Sequence, residues 1–187
     1  MGVSFVPVQT PHDQKVLADL AQEIWTEYWP AIIGKAQTDY MVNKFQSKEA
    51  IEEAMADQAF EYWFLVADDK SDVQENTYTT IENLPQSARI VGYTGGYVVP
   101  ETKKFFISKI YLRSSERGKH FASDTIRFYV DLCKKRNLSA MYLTVNKRNE
   151  LAQRAYIGNG FRITEAMVND IGSGFVMDDY IMQKDLA

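Results

Sequence analysis

Residues 107–122 read Ile-Ser-Lys-Ile-Tyr-Leu-Arg-Ser-Ser-Glu-Arg-Gly-Lys-His-Phe-Ala. An apolar strand runs into a short polar turn, and a long amphipathic helix follows at once. The first turn of a helix carries unpaired N–H donors and a partial positive charge, so such a junction aims backbone donors at an anion. Here Arg117 and Lys119 add cationic side chains around Gly118 and His120. The junction points to a phosphate-bearing ligand.

The rest of the chain supplies the frame. Residues 3–8 have the pattern of a short strand. Residues 12–28 place Val16, Leu17, Leu20, Ile24, Trp25 and Tyr28 at helical spacing, and Pro30 ends or kinks that helix. Residues 35–45 and 48–56 read as two further helices, the second capped by Ser47. Tyr62–Ala67 is a buried strand by its aromatic and β-branched content. Residues 68–88 are polar and acidic, which predicts a surface excursion between strands. Arg89–Val99 and Lys104–Leu112 are strands, and the pair Gly95-Gly96 predicts a bulge or a close backbone approach. The long helix is expected over Lys119–Arg136. A strand over Met141–Val145, a helix over Asn149–Asn159, and strands over Phe161–Met167 and Phe175–Gln183 complete the order, with a loop at 170–174. Strand–helix–strand units in the second half and consecutive strands in the middle predict one α/β domain over residues 1–187. Its expected architecture is a mixed sheet of about seven strands with helices on both faces.

Several function classes drop out. A formal net charge of −4 argues against general nucleic-acid binding. No apolar run approaches the ~18 residues needed to span a bilayer, so no membrane role is expected. The start of the chain lacks a basic region followed by an apolar one, which makes the cytoplasm the default. One cysteine, Cys133, permits no internal disulfide and falls on the apolar face of a helix. Two distant histidines, His12 and His120, and that cysteine make no metal set.

Downstream of the junction, Leu143-Thr144-Val145-Asn146 is followed by Asn149, Ala152, Tyr156, Gly160 and Phe161. This spacing after a strand resembles the GNAT superfamily of N-acetyltransferases, as does the Arg-Gly-Lys-His-Phe-Ala turn after Ile-Tyr-Leu. Residues 89–187 carry the resemblance, and the ending Asp-Ile-Gly-Ser-Gly-Phe-Val-Met-Asp-Asp-Tyr is similar to a bacterial branch of small acetyltransferases, including the PaiA-type polyamine acetyltransferases. The resemblance implies the GNAT fold, with strands four and five splayed apart, and acetyl-CoA as cosubstrate without a metal. It assigns the pyrophosphate to Arg117, Gly118, Lys119, His120, Phe121 and Ala122. The pantetheine arm falls to Ile110, Tyr111 and Leu112, with Asn146, Asn149 and Ala152 where the arm leaves the crevice. Asn149 also reads as a helix N-cap. His120 departs from the family, which usually has glycine there.

The same resemblance makes Tyr156 the general acid. Amine attack on a thioester expels a thiolate whose reference pKa is about 8.5, against about 10 for tyrosine, so donation is uphill by about 2 kcal/mol before the intermediate collapses. Such a donor contributes about 10²–10⁴ in rate. A base is harder to name. Many relatives carry glutamate where Ser108 stands, and serine cannot act alone. Glu61, Glu165, Asp178 and Asp179 remain, with no spacing that selects one. Trp25, Tyr28, Trp29 and Tyr40 would form an aromatic wall suited to a cationic amine, or simply pack the core. The expected activity is acetyl transfer to a primary amine of a small molecule or peptide. An acyl-CoA-binding sensor with little catalysis is the alternative, and a homodimer is left open.

Overall fold

Helix α1 (Pro11–Tyr28) begins where Thr10 accepts a hydrogen bond from the Asp13 N–H and Asp13 accepts one in return from the Thr10 N–H. This reciprocal cap satisfies two otherwise unpaired donors. In a computed structural model of the protein, residues 2–70 and 77–186 are described. The elements around α1 are β1 (Val3–Pro7), α2 (Pro30–Ile33), α3 (Lys35–Phe45), α4 (Lys48–Asp57), β2 (Glu61–Asp68), β3 (Ala88–Val99) and β4 (Lys104–Leu112). A one-turn helix at Ser114–Glu116 leads to α5 (Phe121–Lys135), β5 (Ala140–Asn146), α6 (Glu150–Gly158), β6 (Arg162–Gly172) and β7 (Phe175–Asp185). The expected order holds, with α2 as an extra turn that Pro30 starts rather than merely ends α1.

The strands form a seven-stranded mixed sheet in the order β1-β2-β3-β4-β5-β7-β6. Its β4–β5 ladder is parallel and runs from Lys104↔Ala140 to Ile107↔Leu143. Among the described residues that ladder goes no further, although β4 continues to Leu112 and β5 to Asn146. By proximity the chain divides into two compact units, Met1–Gly96 with Lys109–Thr125 and Tyr97–Ser108 with Ile126–Ala187. The core of the first unit gathers Leu17, Leu20, Ile24 and Trp25 with Phe64, Leu65, Val66, Val91 and Tyr93. That of the second gathers Phe105, Tyr129, Cys133, Met141, Leu143 and Met182. Burial pushes the Cys133 thiol up to about 11, so it is an inert packing group.

Four expectations need correction or completion. The strand bulge does not sit at Gly95-Gly96: the register between β2 and β3 shifts where Leu65 faces Gly92 and Val66 faces Ile90. Close approach does occur at Gly95, where an added Cβ would lie 2.7 Å from the Tyr62 ring. Helix α5 starts two residues late, because His120 has φ +67 and lies outside helical space. The 170–174 loop is largely strand. Only Ser173 and Gly174 form the connection, both with positive φ, the geometry that matches the twist of a tight hairpin. Of the polar excursion, residues 71–76 lie outside the described residues. Beyond them Tyr78 anchors the chain through its N–H to Ser4 Oγ (2.9 Å) and its hydroxyl to Asp68 (2.5 Å).

Gly92 is the tightest point of β3. A Cβ there would stand 2.2 Å from the Tyr111 carbonyl oxygen and 2.9 Å from Leu112 Cδ2. Gly92→Ala is expected to destabilise the fold by about 1–3 kcal/mol through overpacking. Thermal denaturation reads this as a loss of roughly 2–4 °C per kcal/mol. An unchanged melting temperature would mean that β4 yields without strain.

Candidate functional site

The junction after β4 is built from paired charges. Arg113 donates its N–H to Val91 O (2.9 Å), and its guanidinium meets Glu23 (2.9 Å). Glu116 is buried and accepts from Arg89 (2.7 Å) and Lys119 (2.9 Å). The hydrogen bond from Arg89 chiefly, with Lys119 adding to it, holds the Glu116 carboxyl below the usual carboxylate range. Arg117 lies 4.3 Å from the Tyr28 ring centroid and donates to Leu112 O. The cationic side chains of the turn therefore already have partners.

What the turn still offers is backbone. Gly118 has φ +75 and His120 φ +67. Among the described residues, no acceptor faces the N–H groups of Gly118, Lys119, His120, Phe121 or Ala122. Five successive donors at the start of a helix are a cradle for an anion, and they fit the pyrophosphate assigned to them. The left-handed backbone at His120 is one that glycine would adopt without strain. His120→Gly should relieve about 1 kcal/mol of strain and raise the melting temperature by roughly 2–4 °C. Denaturation scans check this, and no gain would show that the imidazole makes contacts worth as much as the strain.

In the first unit, Ile110, Tyr111 and Leu112 are partly exposed at the end of β4. Tyr111 joins an aromatic group with Trp25 (5.3 Å), Trp29 (6.5 Å) and Tyr93 (5.3 Å). Trp29 stacks on Trp25 at 5.1 Å and meets Tyr28 edge-on at 5.3 Å. Trp25 Nε1 donates to the Tyr93 hydroxyl, which donates to Gln46 Oε1. Tyr40 is found beside Lys44 instead. The exposed face of α1 lines an open groove with Asp19, Gln22, Glu23, Thr26 and Glu27. Its carboxylates are engaged: Asp19 with Lys15, Glu23 with Arg113, and Glu27 with the Ser114 hydroxyl.

The second unit holds the downstream residues. Asn149 is buried and caps α6, its Oδ1 accepting from the Ala152 N–H at 3.3 Å. The Asn146 side chain accepts from the Arg148 N–H (2.9 Å). Tyr156 is half-buried one turn beyond Ala152, with its ring 5.8 Å from that of Phe161.

The carboxylates named as base candidates separate sharply. Glu165 is exposed, and Glu61 and Ser108 are half-buried. Asp178 is exposed and paired with Lys147 at 2.5 Å. Asp179 is 4% exposed and faces Asn146 across the β5–β7 ladder. Burial first, and the neighbouring Asp178 second, push its carboxyl up to about 6, while Lys147 opposes them. Period-two alternation implies that one of two adjacent aspartates points inward, but not which. Lys109 was missed by the sequence reading. It is buried in β4, and its only signal was a lysine inside an apolar strand.

Residues 19–161 match the Acetyltransferase (GNAT) family, and the chain belongs to that family. It is an acetyl-CoA-dependent N-acetyltransferase by that membership. Its fold is similar to PaiA N-acetyltransferase from Thermoplasma acidophilum in complex with coenzyme A, at 17% identity and TM-score 0.71, covering 99% of each chain. It is also similar to a spermidine N-acetyltransferase SpeG chimera from Vibrio cholerae and hSSAT, at 16% identity and TM-score 0.66, covering 100% of this chain and 96% of that one. A GNAT-family acetyltransferase from Staphylococcus aureus gives 16% identity and TM-score 0.66 over 100% of both chains. No curated protein matches the sequence. Among the described residues, no helix is long and apolar enough to cross a membrane, and no three His, Cys, Asp or Glu side chains group as metal ligands.

Proposed function

We propose that the chain is one N-acetyltransferase domain that moves an acetyl group from acetyl-CoA to a primary amine of a small molecule or peptide by direct attack. The observation that carries this reading is the run of backbone donors from Gly118 to Ala122, which suits a pyrophosphate. Acetyl-CoA supplies the activated acyl group. Backbone groups of Ile110, Tyr111 and Leu112 take its arm, and the family resemblance adds Asn146, Asn149 and Ala152. Tyr156 donates a proton to the departing sulfur. Asp179 takes the proton from the attacking amine, a role supported by its burial and by a carboxyl raised towards neutrality.

The experiment is a thermal shift with CoA, followed by thiol release from acetyl-CoA across a panel of amines. Stabilisation by CoA and amine-dependent release are expected. Failure of CoA to stabilise the protein would overturn the cofactor assignment. Stabilisation with no release on any amine would point instead to an acyl-CoA sensor.

A further inference from the structure

Lys109 is a cation without an anion. It is 9% exposed, on β4 in the first unit. Its Nζ lies 5.3 Å from the Phe60 ring centroid and 6.0 Å from that of Tyr62, two rings that stack on each other at 4.6 Å. Among the described residues Nζ has no hydrogen-bond acceptor and no carboxylate partner. Burial lowers it to about 8, which leaves it mostly charged at neutral pH. Aromatic faces offset part of the desolvation of an ammonium, but they do not replace a hydrogen-bond acceptor.

Four carboxylates of the first unit are hydrogen-bonded to other groups. Glu23 serves Arg113, Glu27 serves Ser114, Glu116 serves Arg89 and Lys119, and Asp69 serves Arg89. A second donor is orphaned in the same unit. The Trp29 indole N–H is buried with no partner. Tyr111 links the two. It lies two residues beyond Lys109 and therefore on the same face of β4, and its ring lies 6.5 Å from Trp29. Two donors without acceptors thus lie in one unit beside aromatic rings, and in the groove on α1 Asp19 and Glu23 are already paired with cations.

We propose that Lys109 anchors a carboxylate of the acceptor, so that the substrate class is an amine that also bears a carboxylate, such as an amino acid or a short acidic peptide. A polyamine would bring a second positive charge towards an ammonium that has no counter-charge. This proposal rests on the acetyltransferase reading above. It concerns which amine is chosen, not how the acetyl group moves.

The test compares γ-aminobutyrate with γ-aminobutyramide, which differ in the carboxylate and keep the amine distant from it. Wild-type kcat/KM should favour the carboxylate by about tenfold or more, the ratio one charge-assisted hydrogen bond supports, and the effect should lie mainly in KM. In Lys109→Met, which keeps the aliphatic stem, the ratio should fall to near unity. Lys109→Arg, which keeps the charge, should retain the preference. Equal kcat/KM for the two amines in the wild type, a preference for spermidine, or a preference that survives in Lys109→Met would each overturn the proposal. Calorimetric titration of N-acetyl-γ-aminobutyrate and its amide, with CoA present, reads the same discrimination without turnover. Discrimination there without turnover on any amine would remove the acetyltransferase reading and keep the carboxylate anchor. Turnover without discrimination would do the reverse.

Discussion

Tyr156→Phe is expected to lower kcat for acetyl transfer by about 10²–10⁴-fold, the range a positioned proton donor supplies, with the affinity for acetyl-CoA unchanged. The substitution removes only the hydroxyl. The ring contact with Phe161 at 5.8 Å and the capped start of α6 at Asn149 both remain, so the melting temperature should hold. A loss confined to kcat is the signature of an interaction made only in the transition state, whereas a rise in KM alone would place Tyr156 in binding. Titration with acetyl-CoA beside steady-state kinetics separates the two. Turnover equal to wild type would remove Tyr156 from the chemistry.

The second large effect is expected at Asp179. The wild-type pH–rate profile should fall on the acid side with a midpoint near the value of about 6 to which burial raises this carboxyl. Asp179→Asn should lower kcat by about 10²–10⁴-fold and abolish that limb, because an amide accepts no proton at any working pH. Stability should move the other way. A carboxyl whose folded pKa exceeds its unfolded value of about 3.9 binds its proton more tightly when folded, so ionising it costs stability. That cost is absent below about 4 and complete above the folded value near about 6. Asp179→Asn should therefore match or exceed the wild-type melting temperature at neutral pH and lose any advantage in acid. A variant that is inactive and also less stable at neutral pH would make Asp179 a structural group.

The two positions differ in how far the sequence exposed them. Tyr156 stood on a helix whose start and partners were all readable: Asn149 as cap, Ala152 one turn before, and Gly160 with φ +89 at the end. Local periodicity and capping chemistry determine such a segment, so its reading survives folding. Asp179 depends on which face of β7 turns inward, and that is settled by pairing with β5, a partner distant in sequence. The strand–turn–helix was likewise local and legible, although its helix begins later than periodicity suggested because the chain turns left-handed at His120. At Gly95-Gly96 the sequence offered a bulge or a close approach, and the close approach is the one found. Gly95-Gly96 is conspicuous in the sequence, but the register shift lies between Leu65 and Val66, where the pairing of two strands distant in sequence decides it. Lys109 was illegible as a partnerless cation, because what matters is the set of carboxylates that other residues claim first.

The outer strand β6 is exposed along most of its length, and it leans on β7 alone within the sheet order. Met167 interrupts that exposure, and it lies opposite Asp179 across the β6–β7 ladder. Sequence drift along β6 should consequently be uneven. Exposed positions such as Val168 and Asn169 should change more freely. Met167 stands directly across the ladder from the buried Asp179, so its replacement by a polar residue should alter the medium in which that carboxyl ionises. A strand that looks like the most dispensable part of the sheet thus contains one position through which variation can retune the proposed base.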